Sequence, residues 1–120
     1  MELDAKPARP KRWPRGQKFT LSTSGQDAEE AYRVAVAEAR GVGRSALDHA
    51  LAAWAAPRQI EPGDGVLLGE LRGQRRGLSD LSSSLESCGI AAGEVRAAID
   101  RLVEARLVDP VPLASQLGIA

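Results

Sequence analysis

The stretch LSDLSSSLESCGIAAGEVRAAIDRLVEARLV, residues 78–108, decides how the chain is read. Leu78, Leu81, Leu85 and Cys88 recur at three- and four-residue spacing, as do Val95, Ala98, Ile99, Leu102 and Val103. Each set therefore forms one apolar stripe of a helix. Ser79 is the expected cap of the first helix, and Gly89 ends it in a tight turn. Ile90 plugs the junction, while Leu81, Leu85, Val95, Ile99 and Leu102 face inward and Cys88 reads as a small core residue. Upstream, Val66, Leu67, Leu68 and Leu71 mark a shorter helix, joined to the pair by RGQRRG (72–77). The spacing predicts a trihelical unit over 66–109.

Outward from this unit, the Pro- and Gly-bearing run RQIEPGDG (58–65) reads as a linker. Before it, Ser24 and Asp27 form a capping-box-like start to a helix over about 26–40, with Ala28, Ala31, Tyr32, Ala35, Val36 and Ala39 along one stripe. A second helix begins near Ser45, presents Leu47, Ala50, Leu51 and Trp54, and ends at Pro57. Ahead of both, QKFTLST (17–23) alternates, with Phe19 and Leu21 on one face and Lys18, Thr20 and Ser22 on the other. That is a strand-length signal with no second strand pattern to pair with, so it calls for a partner chain. Residues 1–16 form an arm in which Pro7, Pro10 and Pro14 favour extended polyproline geometry and a solvated tail. The tail 110–120 is either irregular or a short helix. The expected fold is mostly α: a helix-turn-helix-like C-terminal bundle preceded by a short strand and two helices (17–57), with a disordered basic arm.

Composition agrees. The 120 residues are 43% apolar but only 3% aromatic, so Ala and Leu, strong helix formers, must supply a thin core. So small an Ala-rich core buries little area, so a homodimer is expected to supply part of the stability. The net charge of zero divides unevenly: residues 1–26 hold six Lys or Arg against Glu2 and Asp4, a net +4, and the rest carry −4. The arm suits a polyanion.

The 78–108 pattern, with the preceding helix (62–109), resembles the helix-turn-helix core of winged-helix regulators. The resemblance implies that the third helix of the unit enters the major groove of DNA, and that the turn before the second helix meets phosphates. Arg96 and Arg101 would then be the useful donors among the alanines of the reading positions, and Arg72, Arg75 and Arg76 the phosphate contacts. A wing is not expected, because Pro110 and Pro112 follow Val108. The same pattern also builds trihelical units that bind only protein. Residues 17–56, in the order KFTLSTS, QDAEEAYRVAVAEAR and RSALDHALAAWA, resemble a ribbon-helix-helix domain. That resemblance implies a strand paired between two chains, Lys18, Thr20 and Ser22 toward bases, and a phosphate at the start of the second helix near Arg44 and Ser45. In the arm, Arg9, Lys11, Arg12 and Arg15 offer salt-sensitive contact without sequence choice.

Catalytic groupings are nearly absent. His49 and Cys88 are the single histidine and cysteine and lie in different modules. No cofactor, metal or enzymatic activity is expected. One cysteine and no leader-like or membrane-length apolar run, which needs about 18 residues, point to a cytoplasmic protein with no membrane partner. Two functions fit: a small dimeric DNA-binding protein, a transcriptional regulator or DNA-organising factor, or a helical protein-interaction adaptor whose basic tail tethers it.

Overall fold

A computed structural model describes residues 13–112. The fold is mostly helical, with five α-helices and a small antiparallel sheet among the described residues. Its first element is the strand β1 (Lys18–Leu21), whose alternation places Phe19 and Leu21 in the core and Lys18 outside. Both edges of β1 are occupied by its own chain. It pairs antiparallel with β2 (Arg76–Gly77) on one side and β3 (Val108–Pro110) on the other, in the order β2-β1-β3. The expectation that this strand must pair with a second chain is thereby corrected. The two partner strands are too short to carry a period of their own, and Pro110, which cannot donate to a ladder, is tolerated because β3 is an edge strand.

The helix α1 (Thr23–Arg40) starts three residues earlier than its apolar stripe announces, because Ser22 rather than Ser24 caps it. The Ser22 hydroxyl accepts the Gly25 amide at 3.0 Å and donates to the Arg106 carbonyl at 2.7 Å, joining the helix start to the turn before β3. Here α1 touches the chain so closely that a Cβ on Gly25 would collide with the Leu107 carbonyl. The helix α2 (Arg44–Ala55) folds back on α1, and Trp54 fastens the pair. Its indole Nε1 donates to the Ala28 carbonyl at 3.0 Å, while its ring lies 5.0 Å from that of Tyr32.

The short α3 (Gly65–Leu71) buries Leu67, Leu68 and Leu71. It leads through the arginine-bearing turn and β2 into α4 (Leu78–Glu86) and α5 (Ala92–Glu104). As the stripes predict, Leu81, Leu85, Val95, Ile99 and Leu102 are at most 1% exposed. Gly89, at φ +83°, makes the left-handed turn between the two helices. Two details differ from expectation. Gly77, not Ser79, stands at the N-terminal cap of α4, with no side-chain bond, since the chain enters directly from β2. Cys88 is exposed, because α4 ends at Glu86 and the thiol lies in the turn beyond the helical stripe.

The core is continuous across the 58–65 linker. Phe19, Leu21, Ala28 and Trp54 belong to the same buried cluster as Leu68, Leu81, Ile99 and Leu102. Covering the trihelical unit with β1 and α1 is how a chain with four aromatic residues gains enough buried area; each fully buried Leu or Ile contributes roughly 1.5–3 kcal/mol. Among the described residues no helix is long and apolar enough to cross a membrane.

Candidate nucleic-acid interface

The α4–turn–α5 corner forms because two apolar stripes share one interior and Gly89 lets the chain reverse between them. Its outer side carries the start of α5: Ala91, Ala92, Gly93, Glu94 and Ala97 are all exposed. Glu94 has a local task, accepting the Ala91 amide at 3.3 Å and so closing the helix N-terminus. Small side chains allow close approach to a surface and supply no base-reading donors.

The two cations expected to serve α5 diverge. Arg96 is half-buried on the helix. Arg101 turns inward to Asp64, with Nε and Nη2 donating to the two carboxylate oxygens at 3.0 and 2.8 Å. Asp64 is 3% exposed and also accepts the Glu61 amide at 3.0 Å, so this pair staples the turn before α3 onto α5. Those hydrogen bonds, with the charges of Asp64 and Glu61, raise the Arg101 pKa against the opposing effect of burial. Arg101, expected to offer its donors to DNA, thus commits Nε and Nη2 to this buried carboxylate.

The arginine turn divides in the same way. Arg76 is committed to Glu70 at 3.0 Å and to the Ser84 hydroxyl at 2.9 Å, fixing β2 between α3 and α4. Arg72 stands 4.0 Å from Glu29, a carboxylate on α1 that is buried and paired at 2.8 Å with Arg33. Arg75 is exposed. Arg72 and Arg75 are thus the outward cations of this turn.

Of the N-terminal candidates, Lys18 is exposed and Thr20 lies opposite Asp109 in the β1–β3 register. Ser22, expected to face bases, is consumed as the α1 cap, and the correction follows from its two hydrogen bonds. Arg44 and Ser45 are exposed at the start of α2, where Arg44 pairs with Asp48 at 3.5 Å. These residues do not converge with the α4–α5 corner into one cluster.

Arg9, Lys11 and Arg12 lie outside the described residues, as do residues 113–120 of the tail. The arm's root is described, and it is seated, where the sequence pointed to solvated tail as far as residue 16. Trp13 lays its ring edge-on against Phe19 at 5.1 Å between centroids, and its indole Nε1 donates to Asp100 of α5 at 3.0 Å. The Gln17 amide closes the following turn on the Pro14 carbonyl at 3.0 Å, with Arg15 exposed. The buried Gln17 side chain donates to the carbonyls of Lys18 and Val111 at 2.8 and 2.7 Å. Sequence reasoning missed Gln17 and the seat of Trp13; an indole inside an otherwise polar, proline-bearing tail was the one available signal.

His49 is exposed on α2, and among the described residues no group of three or more His, Cys, Asp or Glu is placed to hold a metal ion. Comparison of the chain with models of known families, with curated proteins and with solved structures finds no match.

Proposed function

We propose that this chain is a small DNA-binding protein, a regulator or DNA-organising factor, that meets the duplex through the α4–α5 corner and the basic arm together. The observation that carries the reading is the Trp13–Asp100 hydrogen bond, which ties the root of the arm to α5. A tail joined only through a loose linker contributes charge at no defined place; here the charge starts from the helix pair whose outer corner carries alanines and a glycine beside Glu94. The winged-helix resemblance supports the same reading. In the sheet β1 lies antiparallel beside β3, and the Val111 amide donates to the Lys18 carbonyl at 2.9 Å.

The test is duplex binding by the full chain, by a chain lacking residues 1–12, and by Arg72→Gln/Arg75→Gln, each across a salt series. Each phosphate neutralised adds about 0.9 to the slope of log affinity against log salt. The full chain is expected to bind with a steep slope, the shortened chain with a shallow one, and the double variant in between.

A second reading, a protein-interaction module, rests on the outer face of α1. Val34 there is half exposed beside Ala31 and Ala35, with Asp27, Glu30 and Glu38 around them, and Val42 is exposed at the following turn. Self-association expected of so small a core would use this face rather than β1, whose edges are taken. Sedimentation of the parent and of Val34→Glu, beside duplex binding by both, separates the cases: a parent dimer that dissociates on substitution, in a chain that shows no salt-dependent duplex binding, favours the interaction reading.

A further inference from the structure

Glu29 lies on α1 with its side chain 4% exposed, while the side chains of the two arginines beside it, Arg33 and Arg72, are each more than half exposed. A carboxylate taken out of water is costly unless cations meet it. Arg33, one helical turn on, donates from Nε to the Glu29 Oε2 at 2.8 Å, in the order that favours such a pair on a helix. Arg72 follows α3, whose Leu68 and Leu71 are fully buried, and sets its Nε 4.0 Å from the same oxygen. Both separations end on one atom, so the two Nε atoms are no further apart than the sum of 2.8 and 4.0 Å. Two cations that would otherwise repel are thus held side by side. Neither is used up. A guanidinium carries its N–H donors in a planar fork, and among the described residues no hydrogen bond or ion pair takes the Nη groups of Arg33 or Arg72. Arg76 differs, being committed to Glu70 and Ser84. Two guanidiniums against one carboxylate also leave the cluster a net +1.

We propose that Arg33 and Arg72 form a clamp for one phosphate group, assembled on the buried carboxylate of Glu29. The chemistry selects the ligand. A tetrahedral oxyanion offers oxygens to two forks at once, through charge-assisted bonds of about 2.8 Å from each side, whereas a carboxylate is satisfied by a single fork. The clamp involves α1 and the turn after α3 and is independent of the basic arm. A phosphodiester of a nucleic-acid backbone and a free phosphate or phosphomonoester present the same oxygens to it. Under the DNA-binding reading the phosphate belongs to the duplex, and Arg33 joins Arg72 as a contact that the sequence pattern did not single out.

The test is a titration of the full chain with inorganic phosphate, against chloride at equal ionic strength, following the arginine Nε–H resonances by NMR. Those of Arg33 and Arg72 are expected to shift together and to saturate at millimolar phosphate, the range for about two charge-assisted hydrogen bonds. Glu29→Gln/Arg33→Gln keeps the net charge of the cluster, strands no buried carboxylate and leaves a single cation. It is expected to bind phosphate roughly tenfold more weakly, read at Arg72. No shift beyond that in chloride, or a double variant that matches the parent, overturns the clamp. A mixed-sequence duplex added to the parent at low salt then identifies the source of the phosphate. Movement of the same two resonances, competed by inorganic phosphate, assigns the clamp to the nucleic-acid backbone. A duplex that binds and leaves both unmoved assigns it to a free phosphate or phosphomonoester. A parent that takes phosphate but binds no duplex overturns the DNA-binding reading and leaves the clamp standing.

Discussion

The guanidinium of Arg101 clasps the buried carboxylate of Asp64 through both oxygens, at 2.8 and 3.0 Å, across 37 residues of chain. It joins the turn before α3 to the middle of α5. Removing the cation strands a carboxylate that is 3% exposed, and leaving such a charge unpaired costs several kcal/mol, reduced here because the arginine side chain is 38% exposed. Arg101→Met is expected to lower unfolding stability by about 2–3 kcal/mol in urea titrations. Asp64→Asn/Arg101→Met should recover part of that loss, since no charge is then stranded.

Burial also leaves a pH signature on Tyr32, the single tyrosine. Desolvation raises its pKa above the ordinary value near 10, against a smaller lowering by Arg40. The folded state therefore holds a proton that the unfolded state gives up sooner. This contribution to stability is complete below pH 10 and is lost as the pH rises through the folded value. Stability measured upward from pH 9 should fall more steeply for the parent than for Tyr32→Phe, and the phenolate absorbance of the native protein should appear later than that of the unfolded chain.

Close approach at the start of α1 yields a third expectation. A Cβ on Gly25 meets the Leu107 backbone carbonyl, which cannot rotate away, whereas nothing stands within 4 Å of one on Gly69, inside α3. Gly25→Ala should destabilise by about 2–3 kcal/mol, as overpacking does, and Gly69→Ala should stabilise by up to about 1 kcal/mol through helix propensity. Thermal melts of the two variants should move in opposite directions.

The C-terminal helices were legible because a 3.6-residue period is local information: Leu81, Leu85, Val95, Ile99 and Leu102 each announce their face within a few residues. The sheet was not. Its register sets Leu21 opposite Val108 and Phe19 opposite Arg76, and strands of two and three residues hold no alternation to read. Choosing Ser22 over Ser24 as the α1 cap depends on the Arg106 carbonyl, which arrives from the far end of the sequence. The candidate interface was legible as a set of cations but not as a place. Whether an arginine faces solvent or a buried carboxylate is decided by tertiary packing, and Asp64 took Arg101 while Glu70 took Arg76. The seat of Trp13 on Asp100 depends on a contact spanning 87 residues.

The most direct test of DNA binding through an anchored basic arm is the affinity of the full chain and of the chain lacking residues 1–12 for one duplex, over a salt series. The account predicts that removing residues 1–12 makes the slope shallower by about 3 to 4, close to 0.9 for each of Lys6, Arg9, Lys11 and Arg12 that meets a phosphate. Equal slopes for the two chains, or no binding by the full chain at low salt, would contradict it.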